Sequence, residues 1–450
     1  MISIRSPGRE GEHSNVKIKA LAFVLMAVLL LCGCGQKSET AAATPAQAVT
    51  ASAAQSSTAR PVSTGVTPEQ FGAKGDGIAD DLQALQAAMR QASASGRPLE
   101  LTAGAVYRFS SCLGLPSRLT IQGNGAVLLS DIQYPDLRED RVAVELMKDS
   151  DDDRAHDVRL ENVTFRAADS CQANYMLRVM LARNVEFVGC TFDCEPNEWG
   201  RCAADLYGGN ENIRFEGCVF RQMTSGASGG IWVRNWTDRV ESRNIRFQNC
   251  EFYKSGADEL LAVWGWGGAV RDVVLSGCSF YETQTQEALD ADHRPVWFIT
   301  LGQSGTTDVR MEGCTVRAEY CETIFRMVGD KTRAVVDNCD ITMKQPDSMA
   351  KHDMKKGANP MLARGNDRAD GSTVIQNSRI TLSGDNGRHI CYQLSALKGN
   401  TLDVSLGYGI ASTKEVSGNT IRGRIRHKVF QDCSGVENNN VEVRRFSILG

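Results

Sequence analysis

The stretch that decides the fold is IRFEGCVF at residues 213–220, which returns with the same order of residue types as IRFQNCEF at residues 245–252. In both, apolar and polar residues alternate, Gly or Asn follows, then a small residue, and an apolar residue closes the unit. Further copies are VRLENVTF (158–165), VEFVGCTF (185–192), VVLSGCSF (273–280), VRMEGCTV (309–316), VVDNCDI (335–341), VIQNSRI (374–380), VSGNTI (416–421) and VENNNV (436–441). The chain is therefore an internal repeat, and this repeat is the strongest guide to its architecture.

The repeat predicts a parallel β-helix. Alternation is typical of a strand, and the Gly or Asn can adopt the left-handed backbone conformation that turns a chain without ending its sheet. A single unit is too small to bury its own apolar face, but stacked units share one continuous core. A β-propeller, the competing architecture, requires hairpin signals between antiparallel strands, and the sequence lacks them. We expect an all-β, right-handed solenoid of about ten coils.

The small residue of the repeat is cysteine in six units: Cys190, Cys218, Cys250, Cys278, Cys314 and Cys339. Equivalent positions on stacked coils form an inward row, in which cysteine acts as a compact apolar filler. We therefore expect free thiols in this row. Cys194 and Cys202, eight residues apart in a loop, form the best candidate for a disulfide bridge, although the sequence does not decide whether it forms.

The repeat is preceded by FGAKGDGIADDLQALQAAM at residues 71–89, where Asp76, Asp80 and Asp81 surround a glycine-rich turn. Apolar residues follow at helical spacing, and Asp80 or Asp81 is suited to the helix N-cap. We predict a capping helix at about residues 80–92, which covers the open end of the first coil. A catalytic role for the three carboxylates is the weaker interpretation.

The N-terminus resembles an export signal. Lys17 and Lys19 precede an apolar run too short to span a bilayer, and the run ends at Leu31, Cys32, Gly33 and Cys34, as in a bacterial lipoprotein box. We expect residues 1–33 to be a signal peptide, Cys34 to be lipidated, and residues 34–65 to be a flexible tether rich in Ala, Ser and Thr. The alternative is an ordinary secretion signal. One β-helix domain, 66–450, would then be anchored at the bacterial cell envelope, in the outer membrane, on its periplasmic or surface side.

Charge excludes one class of partner. The chain carries 54 acidic and 50 basic residues, a formal net charge of −4, and the signal segment contains more basic than acidic residues. The exported chain is thus more acidic than the whole sequence. Because nucleic-acid binding requires a basic footprint, we expect no nucleic-acid partner.

The opening FGAKGDG segment, followed by coils punctuated with Cys and Asn, resembles the pectate lyase-like β-helix superfamily, in the branch of rhamnogalacturonase or epimerase-type domains. The resemblance covers about residues 66 to 440 and implies a right-handed coil and a carbohydrate ligand. It leaves the reaction open, because that superfamily includes lyases, hydrolases, epimerases and proteins without catalytic activity. The Gly-His-Gly motif of its hydrolase branch is absent, and an Arg-Ile-Arg triplet stands late, at Arg424 to Arg426.

A strand upstream of each punctuated one supplies the candidate binding surface. In GIWVRNW (230–236) and ELLAVWGW (259–266), burial of Ile231, Val233, Leu261 and Val263 turns the residues between them outward. Tryptophan rings on adjacent coils would stack on sugar rings, with their N–H groups left for hydroxyls. The predicted substrate-binding residues are Trp232, Arg234, Trp236, Trp264, Trp266 and, from a later coil, Arg326.

Candidate catalytic groups lie beside these strands: Asp258, Glu259, Asp292, His293 and Arg294. The last three belong to an insertion over one face of the solenoid, where binding walls are common. A lyase requires a cation, either arginine or Ca²⁺, and a base, for which His293 is suited. A hydrolase requires two carboxyl groups. Asp258 and Glu259 are the adjacent pair, and Asp258 with Asp292 is a looser alternative to it. The histidines show no spacing typical of a metal site.

These features predict a membrane-anchored, carbohydrate-active protein that binds a polysaccharide and cleaves or modifies it in a lyase- or glycosidase-like manner. The alternative is a non-catalytic lipoprotein that binds glycan or supports the envelope. Neither the polymer nor the oligomeric state is fixed by the sequence.

Overall fold

The computed structural model describes residues 65–133, 141–146, 154–194, 202–221, 230–235, 240–254, 259–282, 297–345, 360–366, 371–384 and 388–445. The signal, the predicted lipidation site Cys34 and nearly all of the tether lie outside these ranges. Every strand pairing in the described part of the chain is parallel, which rules out a propeller and confirms the right-handed parallel β-helix.

Each coil presents three faces, formed in chain order by a first, a second and a third strand. The first face contains β4 (Leu113–Leu115), β7 (Val142–Leu146), β10 (Tyr175–Met180), β13 (Cys202–Tyr207), β16 (Ile231–Arg234), the first part of β19 (Leu261–Ser276), the first part of β21 (Trp297–Glu312), β23 (Thr323–Arg326), β26 (Ala363–Arg364), β29 (Cys391–Tyr392), β32 (Ile410–Ala411) and β35 (Phe430–Gln431).

The second face carries the alternating part of the sequence repeat. Its strands are β2 (Leu99–Glu100), β5 (Thr120–Gln122), β8 (Ala155–Glu161), β11 (Ala182–Val188), β14 (Glu211–Glu216), β17 (Ser242–Gln248), the second parts of β19 and β21, β24 (Lys331–Asp337), β27 (Ser372–Gln376), β30 (Ala396–Lys398), β33 (Glu415–Ser417) and β36 (Val436–Glu437).

The third face completes each coil. Its strands are β1 (Asp76–Asp80), β3 (Val106–Phe109), β6 (Val127–Ser130), β9 (Thr164–Ala167), β12 (Thr191–Asp193), β15 (Val219–Arg221), β18 (Glu251–Lys254), β20 (Ser279–Glu282), β22 (Thr315–Ala318), β25 (Asp340–Lys344), β28 (Arg379–Ser383), β31 (Thr401–Leu406), β34 (Thr420–Ile425) and β37 (Asn440–Arg444).

The turn from the second to the third face is where the repeat places its Gly or Asn. Asn162, Gly217, Asn249 and Gly313 all have φ between 51° and 59°, in the left-handed region that the sequence predicts. Gly399, with φ 66°, occupies the same kind of turn and marks a further coil inside the long step from Asn377 to Gly418. The sequence of this unit, LKGNTL (397–402), has the same pattern as VSGNTI (416–421), so the coil could have been recognised from the sequence alone.

Inside the solenoid, equivalent side chains stack into rows. Phe165, Phe192, Phe220, Phe252 and Phe280 form parallel stacks along the third face, with ring centroids 4.6–5.1 Å apart. Each such aromatic pair adds about 0.5–1.5 kcal/mol beyond simple burial. These rows join the coils into one continuous core.

The cysteine row is also confirmed. Its six thiols are buried and free, and each lies within hydrogen-bonding distance of a carbonyl on the preceding coil, as Cys250 Sγ does at 3.5 Å from the Phe215 oxygen. The row continues as Ser378, Asn400, Asn419 and Asn439. Cys194 and Cys202 are free buried thiols as well, so the candidate bridge between them is not formed.

The capping helix α1 spans Leu82–Ser95 and buries Leu85, Ala88 and Met89 against the first coil. The carboxylates before it hold the turn. Asp80 accepts a hydrogen bond from the Leu82 N–H at 3.2 Å, whereas Asp81 accepts bonds from the N–H groups of Lys74 and Gly75 at 2.7 and 3.0 Å. The structural interpretation of this stretch is therefore correct. No helix among the described residues is long and apolar enough to cross a membrane.

Candidate functional site

The candidate site is the outward row of the first face, hereafter the outer row. Strand register places one residue per coil in this row: Glu145, Arg178, Asp205, Trp232, Ala262, Thr300, Arg326, Arg364 and Tyr392. Neighbouring members stand about 4.8 Å apart, the spacing between strands. The inward residues between them, Ile231, Val233, Leu261 and Val263, are all fully buried, as predicted.

Trp232 and Trp264 lie on the same flank and form the aromatic part of the site. Their ring centroids are 5.5 Å apart with 28° between the planes, and Tyr175 packs against Trp232 edge-on at 6.2 Å. Both indole N–H groups are buried and have no hydrogen-bond acceptor among the described residues. A buried indole N–H favours a bound acceptor, and a sugar hydroxyl would supply one.

Arg234 does not serve as the exposed cation that the sequence suggested. It is only 7% exposed, and its Nε and Nη2 donate to the two carboxylate oxygens of the fully buried Asp205, each at 2.8 Å. Arg178 reaches the same carboxylate at 3.4 Å. The Arg234 guanidinium also lies 4.2 Å from the Trp232 ring centroid. The Arg234 guanidinium is therefore engaged by Asp205 and lies against the ring of Trp232.

Glu259 lies just before β19 and is 8% exposed. Its Oε1 accepts a hydrogen bond from the Thr300 hydroxyl at 2.8 Å and lies 3.5 Å from Arg326 Nη1. Arg326 stacks over Trp297, with 4.9 Å between the guanidinium carbon and the ring centroid. Burial holds the pKa of Arg326 below its ordinary value despite Glu259, and the neighbouring Arg364 charge acts in the same direction. Both effects favour an additional anion at this point of the row.

A groove of about 540 Å³ opens beside Arg326. Its walls combine guanidinium, amide and aromatic groups, contributed by Trp297, Arg326, Val328, Asp330, Arg364, Gly365, Asn366, Tyr392 and Gln393. Asn366 is held by the Val328 carbonyl at 3.1 Å and by Asp330 at 3.2 Å. Planar rings beside convergent polar groups are typical of saccharide sites, and two adjacent guanidiniums favour an anionic sugar.

Sequence reasoning missed most of this groove. β26 and β29 contain two residues each, so they show no alternation that could mark Arg364 and Tyr392 as outward. Trp297 ends the insertion that contains Asp292, His293 and Arg294, where no repeat pattern marks it as outward. The one available signal was the EYCETIFR segment, whose Arg326 was selected and does line the groove.

Several predicted site residues lie outside the described residues: Trp236, Asp258, Asp292, His293 and Arg294. Trp266 is described and is 60% exposed, whereas Trp232 and Trp264 are half-buried. Among the described ranges, no group of three His, Cys, Asp or Glu side chains is arranged to hold a metal ion.

A second groove of about 470 Å³ lies on the second face and is lined in part by Asn184, Asn212 and Asn244. The side-chain amide of each asparagine donates to the preceding coil, at 2.9, 3.0 and 2.6 Å, and the chain of bonds ends at Asp157. These amides hold the turns together. The first-face groove therefore remains the better candidate site.

Comparisons with known proteins agree with this architecture. Residues 66–285 match the family model described as rhamnogalacturonase A/epimerase, pectate lyase-like. PfbA, a surface adhesin of Streptococcus pneumoniae, shares 14% identity over 82% of this chain and 91% of its own, with a TM-score of 0.58. The tailspike protein gp49 from Pseudomonas phage LKA1 shares 12% identity over 83% of this chain and 81% of its own, with a TM-score of 0.55. No curated protein matches the sequence. At these identities the two solved structures show a shared fold.

Proposed function

We propose that this pectate lyase-like parallel β-helix protein binds an acidic polysaccharide along the outer row and cleaves or modifies it there. One observation carries the proposal: Trp232, whose ring stacks with Trp264 from the next coil, and Arg326, in the wall of the groove, belong to the same row, about 15 Å apart at strand spacing. That length accommodates several sugar units. The matching family model is named for enzymes that act on carbohydrate, and the adhesin and tailspike named above supply only the fold.

The charge of the groove favours an anionic polymer. Arg326 and Arg364 are register partners on adjacent strands, and Glu259, the carboxylate beside Arg326, is buried and hydrogen-bonded to Thr300. The Arg364 charge contributes to the lowered pKa of Arg326, so an anion bound beside both groups would be favoured. A sugar carboxylate would accept planar, paired hydrogen bonds from either group.

We favour a lyase over a hydrolase, because the described residues supply the cation that elimination requires. Elimination requires a cation that neutralises the sugar carboxylate and a base that removes the proton beside it, after which the glycosidic oxygen leaves with the electron pair. Arg326 and Arg364 would supply the charge, with Ca²⁺ as an alternative cation, and His293 is our proposed base. A hydrolase would use Asp258 and Asp292 instead, because Asp205 is engaged by Arg234 and Glu259 by Thr300.

The second candidate is a glycan-binding protein without catalysis. It is favoured by the same engagement of Asp205 and Glu259, since neither carboxylate is placed to exchange protons with a substrate. In this version Trp232, Trp264, Arg326 and Arg364 would bind the polymer and leave it intact.

The test incubates the fragment from Val66 to Gly450 with a panel of acidic and neutral polysaccharides. Unsaturated products and new reducing ends are measured together with binding by calorimetry. We expect binding of an acidic polymer, with unsaturated ends as the product, and at least about a tenfold weaker affinity for the variant Arg364→Ser, which loses a charge-assisted contact. Arg333→Ser, an exposed arginine on the second face, is the matched control.

The outcomes separate the alternatives. Binding that Arg364→Ser weakens, without any cleavage product, would establish the non-catalytic protein. New reducing ends without unsaturated products would establish a hydrolase. If no acidic polymer bound, or if Arg364→Ser bound as tightly as the unchanged protein, the proposed site would be wrong.

We propose further that Cys34 is lipidated and anchors the protein to the cell envelope through the Ala-, Ser- and Thr-rich segment. The support is the Leu31 to Cys34 box after a short apolar run. Expression with a labelled fatty acid should label the full chain and leave the Cys34→Ser variant unlabelled and released from the membrane fraction. Equal labelling of both chains would contradict this assignment.

A further inference from the structure

The C-terminal coils carry an uncompensated cluster of cations. Arg422, Arg424, Arg426 and Lys428 fall within seven residues that contain no acid, in a chain whose formal net charge is −4. Arg422 pairs with Glu442 at 3.2 Å. Arg424, Arg426 and Lys428 are exposed and form no ion pair with any described residue.

The lack of pairing distinguishes these three cations from the paired arginines of the outer surface. Elsewhere many arginines are paired with an acid on the same or the next coil, as Arg214 is with Glu216 at 2.6 Å and Arg246 with Asp272 at 2.7 Å. Arg424 is instead in register with Arg444 on the last coil, so two like charges face outward from adjacent strands. Like charges at this spacing disfavour each other unless an anion is bound.

Beside the cations, three rings stack at the corner between the third and the first face. His389 and Tyr408 have centroids 5.0 Å apart, and Tyr408 and His427 are 4.2 Å apart at 19°. His427 is exposed and stands between Arg426 and Lys428. His389 precedes Tyr392, a wall residue of the groove, by three residues. The ring stack therefore begins on the coil that contributes Tyr392 to the groove and ends between the cations.

We propose that Arg424, Arg426, His427 and Lys428 form a second binding site, the basic corner, which takes an anionic polysaccharide segment without cleaving it. The guanidinium and ammonium groups would bind carboxylate or sulfate groups, and the exposed His427 ring would stack on a sugar. The identity of the ligand as the same polymer that enters the groove rests on the proposed function. The ring stack is the reason for choosing a polysaccharide over a phosphatidylglycerol surface, because that headgroup offers no ring to stack on.

The test measures binding of the full chain to dextran sulfate and to dextran, which differ only in charge, and to vesicles of phosphatidylglycerol. The variant Arg424→Ser/Arg426→Ser/Lys428→Ser is compared with Arg90→Ser/Arg221→Ser/Arg333→Ser, which removes the same number of exposed cations elsewhere. We expect the first variant to lose roughly tenfold in affinity for dextran sulfate and the second to lose less than about twofold. The loss should shrink as salt is raised.

Two outcomes of the comparison between the triple variants would overturn the basic corner. Equal losses in the two variants would show a non-specific charge effect and overturn the basic corner. Tight vesicle binding that the first variant abolishes, with dextran sulfate unaffected, would overturn it in favour of a lipid site. Binding at the groove is read separately, through the Arg364→Ser variant, so failure of the basic corner does not depend on the function proposed for the groove. Unfolding midpoints of both triple variants show that each remains folded.

Discussion

Asp205 shows how far alternation along a strand can be trusted. The pattern places it on the outward side of β13, and the structure agrees, yet the residue is fully buried. The reason is that two long side chains, Arg178 from its own row and Arg234 from the next coil, close over it. Alternation predicts the direction of a side chain, whereas exposure depends on what neighbouring coils place above it. The same effect buries Arg234, a predicted substrate-binding residue, against Asp205.

The buried charges at this point give a prediction about stability. Asp205→Ala should destabilise the fold by about 3–5 kcal/mol, because it leaves Arg178 and Arg234 buried without their shared carboxylate. Asp272→Ala, which removes the half-exposed partner of Arg246, should cost below about 1 kcal/mol. Urea unfolding of the two variants measures both changes. Similar midpoints for the pair would mean that the Asp205 cluster is not the buried ion network described here.

At the scale of the element, the inward row at the turn between the second and third faces changes its chemistry along the solenoid. It runs from thiols to Ser378 and then to Asn400, Asn419 and Asn439. The sequence made the thiol part obvious, because Cys recurs after each Gly or Asn. The asparagine part was only partly recognised: the units at Gly418 and Asn438 were found, whereas the unit at Gly399, which has the same Gly-Asn pair, was not.

The two halves of this row should respond differently to truncation. Asn419 donates to the Leu397 carbonyl at 2.8 Å and accepts bonds from the backbone and side-chain N–H groups of Asn400, both at 3.0 Å. Asn419→Ala leaves these buried groups unsatisfied and should cost about 2–4 kcal/mol. Cys250→Ala removes a small apolar group and should cost about 1 kcal/mol. Calorimetric or urea unfolding measures both losses of stability. A larger loss for Cys250→Ala than for Asn419→Ala would show that packing volume, rather than hydrogen bonding, determines the stability of this row.

At the scale of the whole molecule, the fold could be predicted almost completely, whereas the site could be predicted only in part. Stacking in register follows from the repeat, and it brought Trp232 and Trp264 together as expected. The position of the groove did not follow, because it depends on two-residue strands and on which coil carries Arg364 and Tyr392. Regular coils repeat a pattern that sequence can show, and a binding site is a departure from that pattern.

The thiols offer a test of the whole solenoid, because they line its core from Cys171 to Cys391. Eleven of the thirteen described cysteines are buried, and only Cys112 and Cys433 are partly accessible. In the fragment from Val66, a chromogenic disulfide reagent at pH 8 should titrate at most two thiols in the native protein. The first of these should react slowly, because burial raises the pKa of Cys112 to about 11. The remaining eleven should appear only in denaturant, at the same midpoint as the loss of circular dichroism.

A Cys112→Ser/Cys433→Ser variant should show no native reaction at all. Early reaction of a buried thiol in that variant would mean that the coils open locally, and that the stacked core does not unfold as one unit.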